Sequence, residues 1–460
     1  MKRLIELSAA LVFTRPFFYL CEYIISQDMN RFSHFTATAL AVFGLFSTGL
    51  YAQSTLDLLK ENPERLASVH HSYEYIPQTE TAAPKGFKPF YVSHYGRHGS
   101  RRMIGSTATL SYDYMRKADS LGILTPLGRE LFADVIRIHE DHIDMDGELS
   151  SRGGREHREI AGRLYNRAKP VFTNKKRDFV DVQSSIVPRC LISMANFTAE
   201  LDDRSPRLHF SYITGTKYIN LLSNNCKDSK DVRRYARHVQ DSILTAEINP
   251  DRFIKAIFTV SADSLTNAIA APRKIMEQIF YYGGAAQCLE IPVDIIGKYF
   301  TFEEAVTEYK AHNARSYINM GNSARYGDNM VWAARDLVRD FVSRADDAIS
   351  KDSDKAADLR FGHDTGIMPL VGLMDIVGPG DRMDETSTAF DKWQSFRYLS
   401  MASNLQLIFY RNSKNEILVR TLYNEKEAAF RGLQSYSGPY YRWQDLRAHL
   451  LTRAEKYDNL

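Results

Sequence analysis

The sequence predicts an α/β protein, a layered core of strands and helices interrupted by a mostly helical cap. Three observations carry that prediction. Short β-prone runs at Phe90–Ser93, Phe179–Val182 and Asp358–Phe361 each lead through a turn into a helical pattern, and strands alternating with helices make a layered sheet. Residues 202–350 instead read as helix after helix with little β signal, as in Thr301–His312 and Asn329–Ile349. The strand pattern then returns and ends in a hairpin of Asn404–Tyr410 and Ile417–Leu422, with Asn412 to Asn415 as its turn. The core is therefore expected over about residues 86–201 and 351–450, and the inserted cap over about 202–350.

Taken in order, residues 1–52 are an N-terminal extension of a different character. From Met29 the chain reads as a secretory signal: an early Arg31, an apolar stretch Ala37–Phe46, then small residues with a cut expected after Ala52. The stretch is short and interrupted for a membrane span. The segment before it repeats a weaker version of the pattern, which makes Met29 the expected start of translation. Export to a periplasmic or extracellular location follows, with no stable membrane insertion once the signal is removed. Residues 53–85 are polar and mixed, with Pro63, Pro77 and Pro84 around a short helix. Beyond the first strand, helices are expected over Leu127–His142, from about Gly154 to Arg167, and from about Val187 to Leu201.

Bulk composition narrows the function classes. The chain has 460 residues, 44% hydrophobic and 25% charged, with a net charge of only +3. That suffices for a large core without disulfides, and it carries no polycationic signature of a nucleic-acid partner. Removing the signal would leave Cys190, Cys226 and Cys288, of which Cys226 and Cys288 could pair in an oxidising compartment.

Chemistry concentrates at three strand ends. After the first strand stands Arg97-His98-Gly99-Ser100-Arg101-Arg102, where Gly96 and Gly99 allow a sharp turn and a close approach to a ligand. Arg97 and Arg101 offer planar forks of donors to phosphoryl oxygens, with one imidazole between them. After the second strand, Ser184-Ser185-Ile186-Val187-Pro188 brings Arg189 to a helix start, where free backbone N–H groups also favour anions. After the third comes Gly362-His363-Asp364, an acid beside an imidazole, placed to protonate a leaving alkoxide. Each has a bland alternative: a basic surface turn, an ordinary surface arginine, and Asp364 as a helix N-cap. Together they form a complete set for phosphoryl transfer: His98 as nucleophile, Asp364 as proton donor, and Arg97, Arg101, Arg189 and His363 as phosphate ligands. No metal or other cofactor enters that set.

These residues resemble the histidine phosphatase superfamily, in its acid-phosphatase and phytase branch. The resemblance rests on RHGSRRM and GHDTGIMPL, with GELSSRGGREHREIAGRLYNR and DVQSSIVPRCLISMANFTAEL between them, and spans most of 88–201 and 356–425. LYNEKE and the chain length are similar to the multiple inositol polyphosphate phosphatase group. It implies a phosphoglycerate-mutase-like α/β/α core with a helical cap. It also implies metal-independent hydrolysis of a small phosphate ester through a phosphohistidine at His98. Inositol phosphates lead among substrates. Two departures stand out: Met103 where the family usually has Pro, and His-Asp-Thr where the inositol polyphosphate group often has His-Ala-Glu.

Other features are weaker. His139 and His142 share a helical face without an evident third metal ligand, Lys175-Lys176-Arg177 reads as a solvated turn, and no GxxxxGKS, HExxH or GxSxG sequence is present. Two rival functions remain: a mutase that passes phosphate to a second acceptor, and a non-catalytic phosphoanion-binding protein. Released against transferred phosphate separates the first, and survival of all function in Asp364→Asn the second.

Overall fold

The computed structural model describes residues 54–223, 226–350, 352–384 and 389–459. The predicted signal sequence, its cut after Ala52 and the Met29 start lie outside the described residues. Residues 55–460 form one compact unit. Among the described residues no helix is long and apolar enough to cross a membrane.

Among the described residues, eight strands build one mixed sheet: β1 (Lys88–Arg97), β2 (Phe179–Ser184), β3 (His209–Thr214), β4 (Lys355–Gly362), β5 (Asn404–Arg411), β6 (Ile417–Tyr423), β7 (Lys426–Glu427) and β8 (Tyr440–Arg442). Their order is β3-β2-β4-β1-β5-β6-β7, with β8 also on β6. The longer helices are α1 (Leu110–Ser120), α2 (Pro126–His142), α3 (Ser151–Arg167), α4 (Pro188–Arg204), α5 (Ser229–Glu247), α6 (Pro272–Gly283), α7 (Phe302–Met320), α8 (Arg335–Ile349), α9 (Asp364–Met374) and α10 (Trp443–Glu455).

Alternation along the strands makes the layers. Val92 and Ile408 face one side, where they join Ile160 and Leu164 of α3 and Phe197 and Leu201 of α4. Tyr91, Tyr95, Leu407 and Phe409 face the other, against α8, α9 and α10. A period of two along each strand therefore buries both faces, as an α/β/α sandwich requires. The parallel strands β1, β4 and β2 are in register at one end, Arg97 opposite Gly362 and Ser184 opposite Phe361. Their carboxyl ends stand side by side.

The helix boundaries follow local chemistry. Thr125 caps α2 through Gly128 N–H with Pro126 at the first helical position, Ser150 caps α3 through Gly153 N–H, and Thr301 and Glu304 form a reciprocal capping box on α7. One expectation fails. The stretch read as helical from residue 202 opens with β3, whose HFSYIT is β-prone but short and half-exposed at the sheet edge. A half-buried edge strand of six residues leaves little periodic signal. The expected Asn329–Ile349 helix is also divided, into Gly327–Trp332 and α8. The helices of the expected cap share a core with α1 and α2 from the stretch read as α/β core: Met115 of α1 and Leu131 of α2 join Phe253, Ile279 of α6 and Tyr309 of α7. Cys190, Cys226 and Cys288 are free thiols, so the pairing considered for Cys226 and Cys288 does not form.

Candidate active site

The three strand ends deliver their side chains to one place. His98 follows β1, and its ring centroid lies 5.6 Å from that of His363, which follows β4. Arg189, from the first turn of α4, points Nη2 at His363 Nδ1, 3.5 Å away. Asp364 receives Arg97 Nη2 at 3.0 Å. Arg101 lies close enough to Arg97, Arg189 and Asp364 for their charges to act on it. All six predicted site residues are thus brought together.

The hydrogen bonds assign each ring a direction. His98 Nδ1 lies 3.0 Å from Gly99 O, an acceptor, so Nδ1 carries the proton and Nε2 keeps its lone pair. His363 Nε2 lies 3.0 Å from Ser185 Oγ and its Nδ1 faces the Arg189 donor, which puts the His363 proton on Nε2. Asp364 is not the N-cap it might have been from sequence. His363 occupies that position, and the Asp364 carboxylate turns to Arg97 while accepting from Thr365 N–H at 2.9 Å.

The electrostatics favour a bound anion. Burial, then Arg97, Arg189 and Arg101, hold the His98 imidazolium form well below its usual range, so the ring is neutral. His363 is lowered to about 4, by burial and then Arg189. Burial alone would raise the Asp364 carboxyl, yet Arg97, His363 and Arg101 outweigh it and hold it below the ordinary value. Arg101 is pushed down to about 10 by burial and by Arg189, which still leaves it protonated at neutral pH. Arg97 is committed: Nη1 donates to Val69 O and Leu399 O, and Nη2 pairs with Asp364. Among the described residues Arg101 and Arg189 make hydrogen bonds but no pair with a carboxylate. Two guanidiniums beside a neutral imidazole can cradle a tetrahedral oxyanion.

A cavity of about 190 Å³ opens from this cluster, with Arg97, Arg101 and Asp364 on its core side and Tyr281, His312 and Arg315 on its cap side. The sequence candidates outside the cluster have structural roles. His139 stacks on Tyr112 with centroids 3.9 Å apart, and no metal-binding group of three or more His, Cys, Asp or Glu occurs among the described residues. Arg177 Nη1 donates to Ala348 O and Lys355 O near the start of β2, the opposite end of the strand from the site.

Comparison with solved structures gives the same architecture. A Bifidobacterium longum multiple inositol polyphosphate phosphatase in complex with inositol hexasulfate matches with a TM-score of 0.70 at 18% identity, over 83% of this chain and 97% of that one. The phytase from D. castellii matches at 0.62 and 14% identity, over 86% of each chain. Hafnia alvei phytase with tartrate matches at 0.53 and 14%, over 82% of this chain and 99% of that one. The fold is that of the histidine phosphatases. No protein-family model matches the chain, and no curated protein matches its sequence.

On this histidine phosphatase fold, several residues that sequence reasoning missed hold the site in place. Glu156, buried on α3, accepts from Ser100 N–H at 2.7 Å, Ser100 Oγ at 2.6 Å and Tyr73 N–H at 3.0 Å. It ties the loop after His98 to a helix. The two Glu of REHRE give no warning of that, because the helical period alone does not say which charged residue faces inward. Gly99 was expected to allow a sharp turn and a close approach to a ligand; the close approach in the structure is to backbone, since a β-carbon there would lie 2.5 Å from Gly153 O. Gly96 lies inside β1 and turns nothing. The Met103 departure has a physical counterpart. Met103 N–H donates to His142 Nε2 at 2.9 Å, a bond that proline cannot make, and His142 Nδ1 in turn donates to Ile138 O at 2.8 Å. Gly362 and Gly366 leave room for the Tyr95 hydroxyl, which would lie 2.2 and 2.0 Å from β-carbons at those positions.

Proposed function

We propose that the chain hydrolyses phosphomonoesters through a phosphohistidine on His98. The observation that supports this best is the neutral His98 ring, its Nδ1 tied to Gly99 O and its Nε2 left to attack, beside two guanidiniums without carboxylate partners. In the first step Nε2 bonds to phosphorus as the ester P–O bond breaks, and Asp364 gives its proton to the departing alkoxide. Arg97, Arg101, Arg189 and His363 take up the charge on the phosphoryl oxygens. In the second step water attacks the phosphohistidine, and the Asp364 carboxylate accepts the proton that water loses. Free Asp364 is ionised, whereas the first step needs it protonated. A bound phosphate dianion supplies that change, because it offsets the guanidinium fields that depress the carboxyl.

Substrates are small or polyphosphorylated organic esters, with inositol phosphates first to be tried given the phytases that share the fold. Export to a periplasmic or extracellular location is part of the same reading and rests on the N-terminal pattern alone. The test is phosphate release from a panel of esters that includes phytate, with chelator present, by the wild type and by His98→Ala. The wild type should release phosphate and the variant should not. Transfer of phosphate to an added alcohol without release would favour the mutase alternative.

A further inference from the structure

The leaving alcohol of any substrate must lie where Asp364 can protonate it, and Asp364 lines the 190 Å³ cavity between core and cap. The walls of that cavity therefore read the alcohol. On the cap side, Tyr281 OH lies 3.2 Å from His70 Nε2, and the Tyr281 ring stacks on His312 with centroids 5.3 Å apart. Burial, and then nearby guanidiniums, hold both imidazoles neutral, His312 at about 3. The cap thus offers one permanent cation to the cavity, Arg315 of α7. Its Nη1 donates to Gln240 Oε1 at 3.0 Å, which fixes the guanidinium by one edge, and no carboxylate pairs with it among the described residues.

Charge balance then limits what fits. Arg97 is already paired with Asp364, so among the described residues the guanidiniums of the site and cavity that form no salt bridge are Arg101, Arg189 and Arg315, the last within the field of Glu277. The reacting phosphate, at about −1.5 to −2 near neutral pH, uses the first two. One cation remains. On the far side of Arg189, Gly147, where a β-carbon would lie 3.5 Å from Arg189 Nη1, belongs to an acidic loop with exposed Asp144 and Asp146 and half-buried Glu148. Like charges there penalise a polyanion.

We infer that the cavity selects a compact phosphomonoester whose alcohol carries one further anionic group, bound by Arg315, over a polyphosphorylated ring. This rests on the phosphatase reading above and narrows its substrate class. The test compares kcat/KM for phenyl phosphate, carboxyphenyl phosphate and inositol hexakisphosphate in the wild type, Arg315→Gln and Arg315→Lys. The wild type should prefer the carboxylated ester to both others. Arg315→Gln should lower the ratio of carboxylated to plain ester roughly 10- to 100-fold, the range of one charge-assisted hydrogen bond, and Arg315→Lys should restore part of it. A structural role for Arg315 would lower both esters alike and leave the ratio unchanged, which overturns the inference. So does a wild type that turns over the hexakisphosphate best. Failure of the wild type on all three, phenyl phosphate included, instead counts against the phosphatase reading itself.

Discussion

At the scale of single residues, the site works because opposed fields set the charge of each group. Arg97, His363 and Arg101 hold the Asp364 carboxyl low against burial, and on the proposed mechanism a bound dianion would weaken that hold, so binding should take up a proton. The sign follows from linkage: a carboxyl whose pKa is higher in the complex makes phosphate bind more weakly as pH rises through the range between its free and bound values. Inorganic phosphate titrated calorimetrically in two buffers of different ionisation enthalpy should show that uptake, and Asp364→Asn should abolish it. The same variant should cut turnover roughly 10²- to 10⁴-fold, the usual contribution of a placed acid, without losing phosphate affinity. A variant that keeps its turnover removes Asp364 from the chemistry. That His98, His363, Asp364 and the three arginines would meet was legible in the sequence, because each follows a β-prone run. Glu156 and His142 were not. Their roles are hydrogen bonds to backbone across distant segments, Ser100 and Met103, and no local pattern encodes those partners.

At the scale of elements, the phosphate cradle depends on how closely the loop after β1 meets the start of α3. Gly99 and Gly153 touch backbone to backbone, so a single methyl has nowhere to go. Gly99→Ala should destabilise the fold by about 1–3 kcal/mol, as overpacking does, and should lower activity more than Gly154→Ala, whose β-carbon would meet only the Asn196 side chain, at 3.2 Å. Thermal melting with activity measured on the same samples tests this. Equal behaviour of the two variants contradicts it. His142→Ala leaves the buried Met103 N–H without its acceptor, a loss of about 1–3 kcal/mol, seen as a lowered urea midpoint. The elements themselves were mostly readable. Apolar spacing gave α2, α3 and α7 within a few residues at their starts. β3 was not readable, because one half-exposed edge strand inside a helical stretch shows neither alternation nor a flanking hairpin.

At the scale of the whole molecule, the fold buries imidazoles in their neutral form. His157 and His312 are lowered to about 3 and His363 to about 4, chiefly by burial. The ring nitrogens of His94 are buried without a hydrogen-bond partner among the described residues. An unfolded histidine titrates near 6.5, so below that pH the unfolded chain binds more protons than the folded one. Stability should hold above about pH 6.5 and fall below it, by about 1.4 kcal/mol per pH unit for each such ring until its folded value is reached. Urea unfolding at pH 7 and pH 5 tests this, and an unchanged or higher midpoint at pH 5 contradicts it. Added phosphate should protect more at pH 5 than at pH 7, since its binding takes up a proton.

The central claim is that Nε2 of His98 carries the phosphoryl group between substrate and water. Alkaline quenching of the protein during turnover of a radiolabelled phosphomonoester, followed by peptide mapping, tests that most directly. The account predicts acid-labile, base-stable label on Nε2 of His98 in the wild type and none in His98→Ala. Undiminished phosphate release by His98→Ala, or label on another residue, would contradict it.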